Sequence, residues 1–141
     1  MVSLLDVNVL VALLVPEHEH HVRAMEWFTT DAAEQGWATC VITELGVIRV
    51  CAQLPGGAWP PDITAGRLLV LTASSPAYVW WPDAVSPVVV PEVRLATTGK
   101  QVTDRYLLGI ARRNGGQLAS FDRALASFGG SDVVCLLPTH Q

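Results

Sequence analysis

Hydrophobic residues fall along this chain in short blocks, and the spacing inside the blocks alternates between strand-like and helix-like. "SLL" (3–5) is a brief apolar run readable as a strand, and "NVLVALLV" after it fits a helix stopped by Pro16. "HEHHVRAMEWFTTDAAEQG" predicts one helix over 18–35, with Val22, Met25 and Phe28 at helical spacing and Gly36 as its C-cap. "WATCVI" (37–42) predicts a second strand. "TELGVIRVCAQL" then returns to helical period through Leu45, Ile48 and Cys51 or Ala52 until "LPGG" ends it. "PPDITAGRLLVLTAS" predicts a helix opened by Pro and Asp. "AYVWWP" reads as a short aromatic strand, and the Pro- and Val-rich stretch 82–101 as a loop or short helix. "TDRYLLGIARRNGG" has an acid in its first turn and arginines then glycine at its end, the marks of a helix. "QLASF" and "VVCLL" predict two last strands around the short helical "DRALASF".

Short strands alternating with helices predict an α/β fold with a mostly parallel sheet. Ligands of such sheets bind beyond the carboxyl ends of the strands. A length of 141 residues suits a single domain spanning 1–141, with half its residues hydrophobic and 16% charged, which argues against disorder. No basic leader opens the chain and no apolar stretch is long enough to span a bilayer, so a cytoplasmic protein without a membrane role is expected. Cys40, Cys51 and Cys135 are odd in number, far apart and without a CxxC pair; they read as reduced core residues. The net charge of −4 argues against a protein that coats nucleic acid through phosphate contacts, though not against an enzyme with a local basic rim. Five tryptophans in so apolar a chain point either to a partner or an oligomer or, equally, to burial inside the monomer.

Against this apolar background four acids stand out. Asp6 directly follows the first strand, in a run where a lone carboxylate is costly to bury. Glu44 comes after the second, with Thr43 as the expected N-cap; Asp104 follows Thr103 at a helix start; Asp122 follows "QLAS" and is placed to cap the next helix. Each acid taken alone reads as a helix cap. Together they can be gathered at one rim by a parallel sheet. Two carboxylates about 5 Å apart repel by roughly 3 kcal/mol at an effective dielectric near 20. Such a cluster must protonate or hold a cation, and oxygen ligands without histidine or thiolate suit Mg²⁺ or Mn²⁺ rather than zinc. On this reading Asp6 is a metal ligand, and Asn8 orients it or a bound water.

These residues resemble the PIN-domain ribonucleases, particularly the VapC-type toxins of type II toxin–antitoxin pairs. "LLDVNVLVALL" looks like the family's opening motif, "TELGVIRV" like its second acidic motif, and "TGKQVTDRYLLGIA" with "GGQLASFDRAL" like its closing half. The resemblance covers nearly the whole chain, and Asp6, Glu44, Asp104 and Asp122 each match a family carboxylate. It implies an α/β/α sandwich with a central, mostly parallel sheet, a divalent metal at the acidic rim, RNA as substrate and a cognate antitoxin that covers the site. A homodimer is the expected assembly. Asp6 and Asp104 would be the principal ligands, with Glu44 and Asp122 completing the shell or Glu44 serving as a base. Thr43, Thr103 and Ser120 would support them; Ser120 departs from a frequent threonine but keeps the hydroxyl.

Other features read as structural. "HEHH" (18–21) lacks the HExxH spacing and opens a helix, so His20 or His21 is expected to pack or cap. Arg49 and Arg112 steer phosphates or are solvated surface. Trp80 and Trp81 read as core or partner-facing in preference to base-stacking. A phosphohydrolase of the haloacid dehalogenase type also begins with an Asp after its first strand. It wants a second Asp where Asn8 stands, and Lys100 is the chain's only lysine. A non-catalytic interaction module, whose acids do nothing but cap helices, is the third reading.

Overall fold

The computed structural model of the chain describes residues 1–138. Leu4 and Leu5, adjacent in sequence and both fully buried, point to opposite faces of strand β1 (Ser3–Leu5) and seed two separate cores. Such two-sided burial is what a parallel strand covered by helices requires. Five strands among the described residues, β1, β2 (Trp37–Thr39), β3 (Tyr78–Trp80), β4 (Gln117–Ser120) and β5 (Val133–Cys135), pair in parallel in the order β3-β2-β1-β4-β5. The first three strands run outward on one side of β1, and β4 and β5 lie on the other. The order therefore reverses between β1 and β4. Sheets of this kind bind ligands at such a switch point, beyond the carboxyl ends of the strands.

The core beside Leu5 takes in Trp37 and the buried faces of α1 (Val7–Leu14), α2 (His21–Trp27), α3 (Val41–Ala52) and α4 (Pro61–Ala73). The core beside Leu4 takes in Trp81, Val90, α5 (Val102–Arg113) and Leu125 of α6 (Arg123–Gly129). The predicted α/β architecture, a parallel sheet between helical layers, is the one observed. The unreadable stretch 82–101 holds two 3₁₀ turns, Pro87–Val89 and Gly99–Gln101, and a helical turn, Pro91–Arg94. Among the described residues no helix is long and apolar enough to cross a membrane.

Three local readings are corrected. The single helix expected over 18–35 begins at His21, passes through a π turn at Phe28–Ala32 and closes with Ala33–Gln35. Thr29 and Thr30 each return a hydroxyl to a carbonyl four residues back, at 2.8 Å, where the helix widens. Its inward line is the buried Ala24 and Ala32 with the partly buried Phe28, while Val22 is 68% exposed and Met25 faces outward, because small alanines let this helix approach the core closely. Gly36 does end the segment, at φ 99°, a conformation that favours glycine. The strand expected over 37–42 stops at Thr39, since Cys40 caps α3. Thr43 is therefore the third residue of that helix and not its cap: its hydroxyl accepts the Cys40 N–H at 2.9 Å. Finally, Cys40 and Cys51 are buried as expected but Cys135 is partly exposed; all three are free thiols.

Close contact between α1 and α3 sets the distance between their N-termini, where Asp6 and Glu44 sit. A Cβ on Gly46 would run into the Val7 side chain. Gly46→Ala is expected to lower stability by about 1–3 kcal/mol through overpacking, more than the up to 1 kcal/mol that alanine returns as helix propensity. Thermal unfolding checks this, and an unchanged or higher Tm would contradict it.

Candidate active site at the carboxyl edge of the sheet

Asp6 lies one residue past β1, bordering the switch point. Its backbone N–H still reaches across to Ala119 O on β4 at 3.1 Å, and its side chain caps α1 by accepting the Val9 N–H at 3.1 Å. The cap accounts for its geometry but not for its charge. At 4% exposure its carboxyl is desolvated, and this burial, with a smaller contribution from Asp104, pushes its pKa up to about 6 against the pull of the Ser120 hydroxyl and the Val9 and Asn8 N–H groups. Asp6 is thus a helix cap and at the same time a desolvated carboxyl.

Asp104 stands in the first turn of α5. Burial first, then the charge of Asp122, raises its pKa as well. Asp122 follows β4 and caps α6, accepting the Leu125 N–H at 3.1 Å. Ser120, fully buried at the end of β4, accepts the Asp122 N–H at 3.0 Å while facing Asp6. Three of the four acids therefore form an electrostatic series, Asp6 to Asp104 to Asp122, tied to the strand ends on either side of the switch point.

Glu44 is held differently. Thr39 Oγ1 donates to its Oε2 at 2.6 Å and lies 2.7 Å from Tyr78 Oη. Since the threonine proton is committed to Glu44, Tyr78 must be the donor to Thr39. This chain of hydroxyls orients the Glu44 carboxylate from the β2–β3 side of the sheet. Among the described residues no three His, Cys, Asp or Glu side chains converge into a ready-made metal cage.

The supporting residues named from sequence are dispersed. Only Ser120 touches the acid series through its side chain. Asn8 is exposed on α1 and reaches Asp6 through its backbone N–H; Thr103 is exposed; Thr43 is buried in the Cys40 cap. Two groups escaped the sequence reading. One is the Thr39–Tyr78 pair. The other is the basic wall of a cavity of about 250 Å³, in which Lys100 and Arg105 line the same space as Asp104 and Asp122. The Arg105 guanidinium is restrained over the Phe128 ring, 3.4 Å from its centroid. Arg112, weighed for phosphate steering, is occupied by Asp132 at 2.9 Å and Glu92 at 3.6 Å. Trp81 is buried, whereas Trp80 is 47% exposed on edge strand β3. His20 precedes α2 at its N-cap position, and His21 Nδ1 lies 2.7 Å from Ala12 O, as expected of residues that pack a helix start.

Carboxylates with raised pKa values beside cations suit an anionic substrate and a hard cation. The PIN domain family matches residues 3–130. "Ribonuclease VapC39" of Mycobacterium tuberculosis is 38% identical over 142 residues, covering 97% of this chain and all of its own. "Ribonuclease VapC29" of the same organism is 39% identical over 139 residues, covering 99% and 98%. "Ribonuclease VapC38", also from M. tuberculosis, is 44% identical over 123 residues, covering 85% and 84%. Among solved structures, one described as "Structure of FitAB bound to IR36 DNA fragment" superposes over the full length of both chains with a TM-score of 0.65 at 19% identity, a likeness of fold.

Proposed function

This chain belongs to the PIN-domain family, among relatives named VapC ribonucleases, and on that premise we propose that it is a Mg²⁺-dependent endoribonuclease, the toxin of a toxin–antitoxin pair. The observation that carries the reading is the series Asp6, Asp104 and Asp122 at the switch point, with Asp6 buried and its pKa raised to about 6. The donor set fits the ion: oxygen ligands only, and too few of them close together to form a cage. Mg²⁺ is characteristically held by one or two carboxylates and keeps several waters. Asp6 and Asp104 would be its principal ligands, with Asp122 and Glu44 completing the shell, in part through water; Mn²⁺ would serve in the same place. The ion would supply a nucleophilic water of lowered pKa and neutralise charge on the phosphate.

The chain's own residues do the rest. Ser120 and the α1 N-terminus fix the Asp6 carboxylate, and the Tyr78–Thr39 relay aims that of Glu44. Lys100 and Arg105 face the same cavity as Asp104 and Asp122, which suits a phosphodiester that must lie against acids without being repelled. We take residues 1–141 as one PIN domain acting in the cytoplasm. An antitoxin and a second copy of the chain are the protein partners we propose. Leu45, Leu69 and Val70 are each more than 60% exposed, and an apolar groove of about 550 Å³ runs between Leu13 and Leu14 of α1 and Val70 and Leu71 of α4.

The test is incubation of the purified protein with total cellular RNA, with Mg²⁺ or with a chelator, followed by mapping of the new ends. Discrete internal cuts that need the metal are expected. Intact RNA under both conditions, from a folded protein, would end the ribonuclease reading.

A further inference from the structure

The histidines of "HEHH" stand apart from the acid series. The connection between α1 and α2 passes over the end of β4 and sets two imidazoles against Phe121. His20 and Phe121 lie 4.7 Å apart between ring centroids, His18 and Phe121 lie 6.4 Å apart and nearly parallel at 19°, and the two histidines are 5.7 Å apart. His18 is held in register because its Nδ1 accepts the His20 N–H at 3.0 Å. The inner side of Phe121 packs on the core beside α1, yet all three residues stay partly exposed.

Its position gives the cluster meaning. Phe121 lies between Ser120, whose hydroxyl faces Asp6, and Asp122, whose charge acts on Asp104. Consecutive Cα atoms are about 3.8 Å apart, so the ring is anchored one residue from each side of the acid series. The cation-lined cavity containing Lys100 and Arg105 opens where α5 and α6 meet, while the rings stand on the α1–α2 side. A phosphate held over the acids would thus have cations on one side and the partly exposed His18, His20 and Phe121 on the other. Burial, and then the neighbouring His20, lower the His18 pKa, which favours an uncharged imidazole at neutral pH.

From this arrangement we infer that His18, His20 and Phe121 form a stacking platform for an unpaired nucleobase adjoining the phosphodiester that is cut. The inference rests on the ribonuclease reading of the same rim and adds a seat for the base beside the cut, since an unpaired base has a free face on which aromatic rings can stack. Stacking of this kind tolerates sequence, so the platform sets where along an unpaired segment the strand seats more than which base it carries.

The experiment is a cycle between protein and RNA. Once a cut is mapped, single-stranded oligoribonucleotides spanning it are made with 2-aminopurine, or with an abasic residue, at each nucleotide flanking the cut. Binding to the full chain is followed in chelator, so that no cleavage intervenes. Phe121→Leu keeps an apolar side chain against the core and removes the ring; Phe121→Trp keeps a ring. Expected are quenching of 2-aminopurine at one flanking position, binding weakened about tenfold by Phe121→Leu, and near-parent binding by Phe121→Trp. The abasic residue at that position should weaken binding to the parent about tenfold and cost Phe121→Leu nothing further. Losses that multiply, or Phe121→Leu binding as well as the parent, overturn the platform while leaving the nuclease intact. Failure to cut any RNA overturns both.

Discussion

Asp6→Asn and Asp104→Asn are each expected to reduce RNA cleavage by more than about 100-fold, the upper range of losses seen when only a supporting group beside a metal ligand is changed. The substitution at position 6 separates two roles that the parent side chain combines. Asparagine is as good an N-cap as aspartate, so its side-chain oxygen still accepts the Val9 N–H that closes the first turn of α1. What disappears is the charge. If Asp6 serves as a cap alone, the variant cleaves like the parent; if it is a ligand, it does not. Glu26→Gln, on the exposed face of α2, is the control for a surface acid and should stay within about twofold. Initial rates on an oligoribonucleotide spanning a mapped cut, at saturating Mg²⁺, give the comparison. Rates within a few-fold of the parent for both site variants, each verified as folded, would remove the carboxylates from the mechanism.

The acids at the strand ends were legible because they interrupt apolar patterns. An acid one residue past a buried "SLL" run, and another two residues past "LAS", can sit only at the carboxyl edge if the sheet is parallel, and the strand order then brings β1 and β4 together. Asp104 was legible as a first-turn acid of a helix that closes on two arginines. The hold on Glu44 was not. It arises because Tyr78 pairs with Trp37 in the β2–β3 register, and side chains two residues apart on a strand share a face, so the tyrosine hydroxyl reaches Thr39 along that face. No spacing in sequence encodes a register between strands some forty residues apart.

The misread helix faces have a different cause. Periodicity weighs large apolar residues most, and so it chose Val22 and Met25 as the inward line of α2, where packing against α1 selected Ala24 for its small size. The start of α3 failed for the reverse reason: Thr43 is a strong capping residue by type, but here its hydroxyl bonds backwards to the Cys40 N–H from inside the helix. Local propensity identified the bond's owner and misplaced the boundary. The histidines were correctly expected to pack at a helix start, and what sequence left out was their common partner, Phe121, a hundred residues away and beside the acids.

The same buried charge that serves chemistry should weaken the metal-free fold, and the direction with pH follows from linkage. The Asp6 carboxyl ionises near the ordinary 3.8 in the unfolded chain, and burial pushes its pKa up to about 6 in the folded protein. Between those values the native state holds a proton that the unfolded state has released, so stability falls as pH rises and levels off above the folded pKa. A difference of about two units corresponds to about 3 kcal/mol, comparable to what one or two fully buried leucines contribute. Asp104 is shifted the same way, by burial and then by Asp122, and adds to the trend. In chelator, Asp6→Asn is therefore expected to be more stable than the parent by about 3 kcal/mol at pH 8 and to match it near pH 4, where both side chains are neutral. Saturating Mg²⁺ should raise the parent's stability and leave the variant almost unmoved. Urea unfolding at a series of pH values measures the gap. A gap constant from pH 4 to pH 8, or a parent that is the more stable of the two at pH 8 without metal, would mean that the Asp6 carboxylate is satisfied by the protein alone and has no need of a cation.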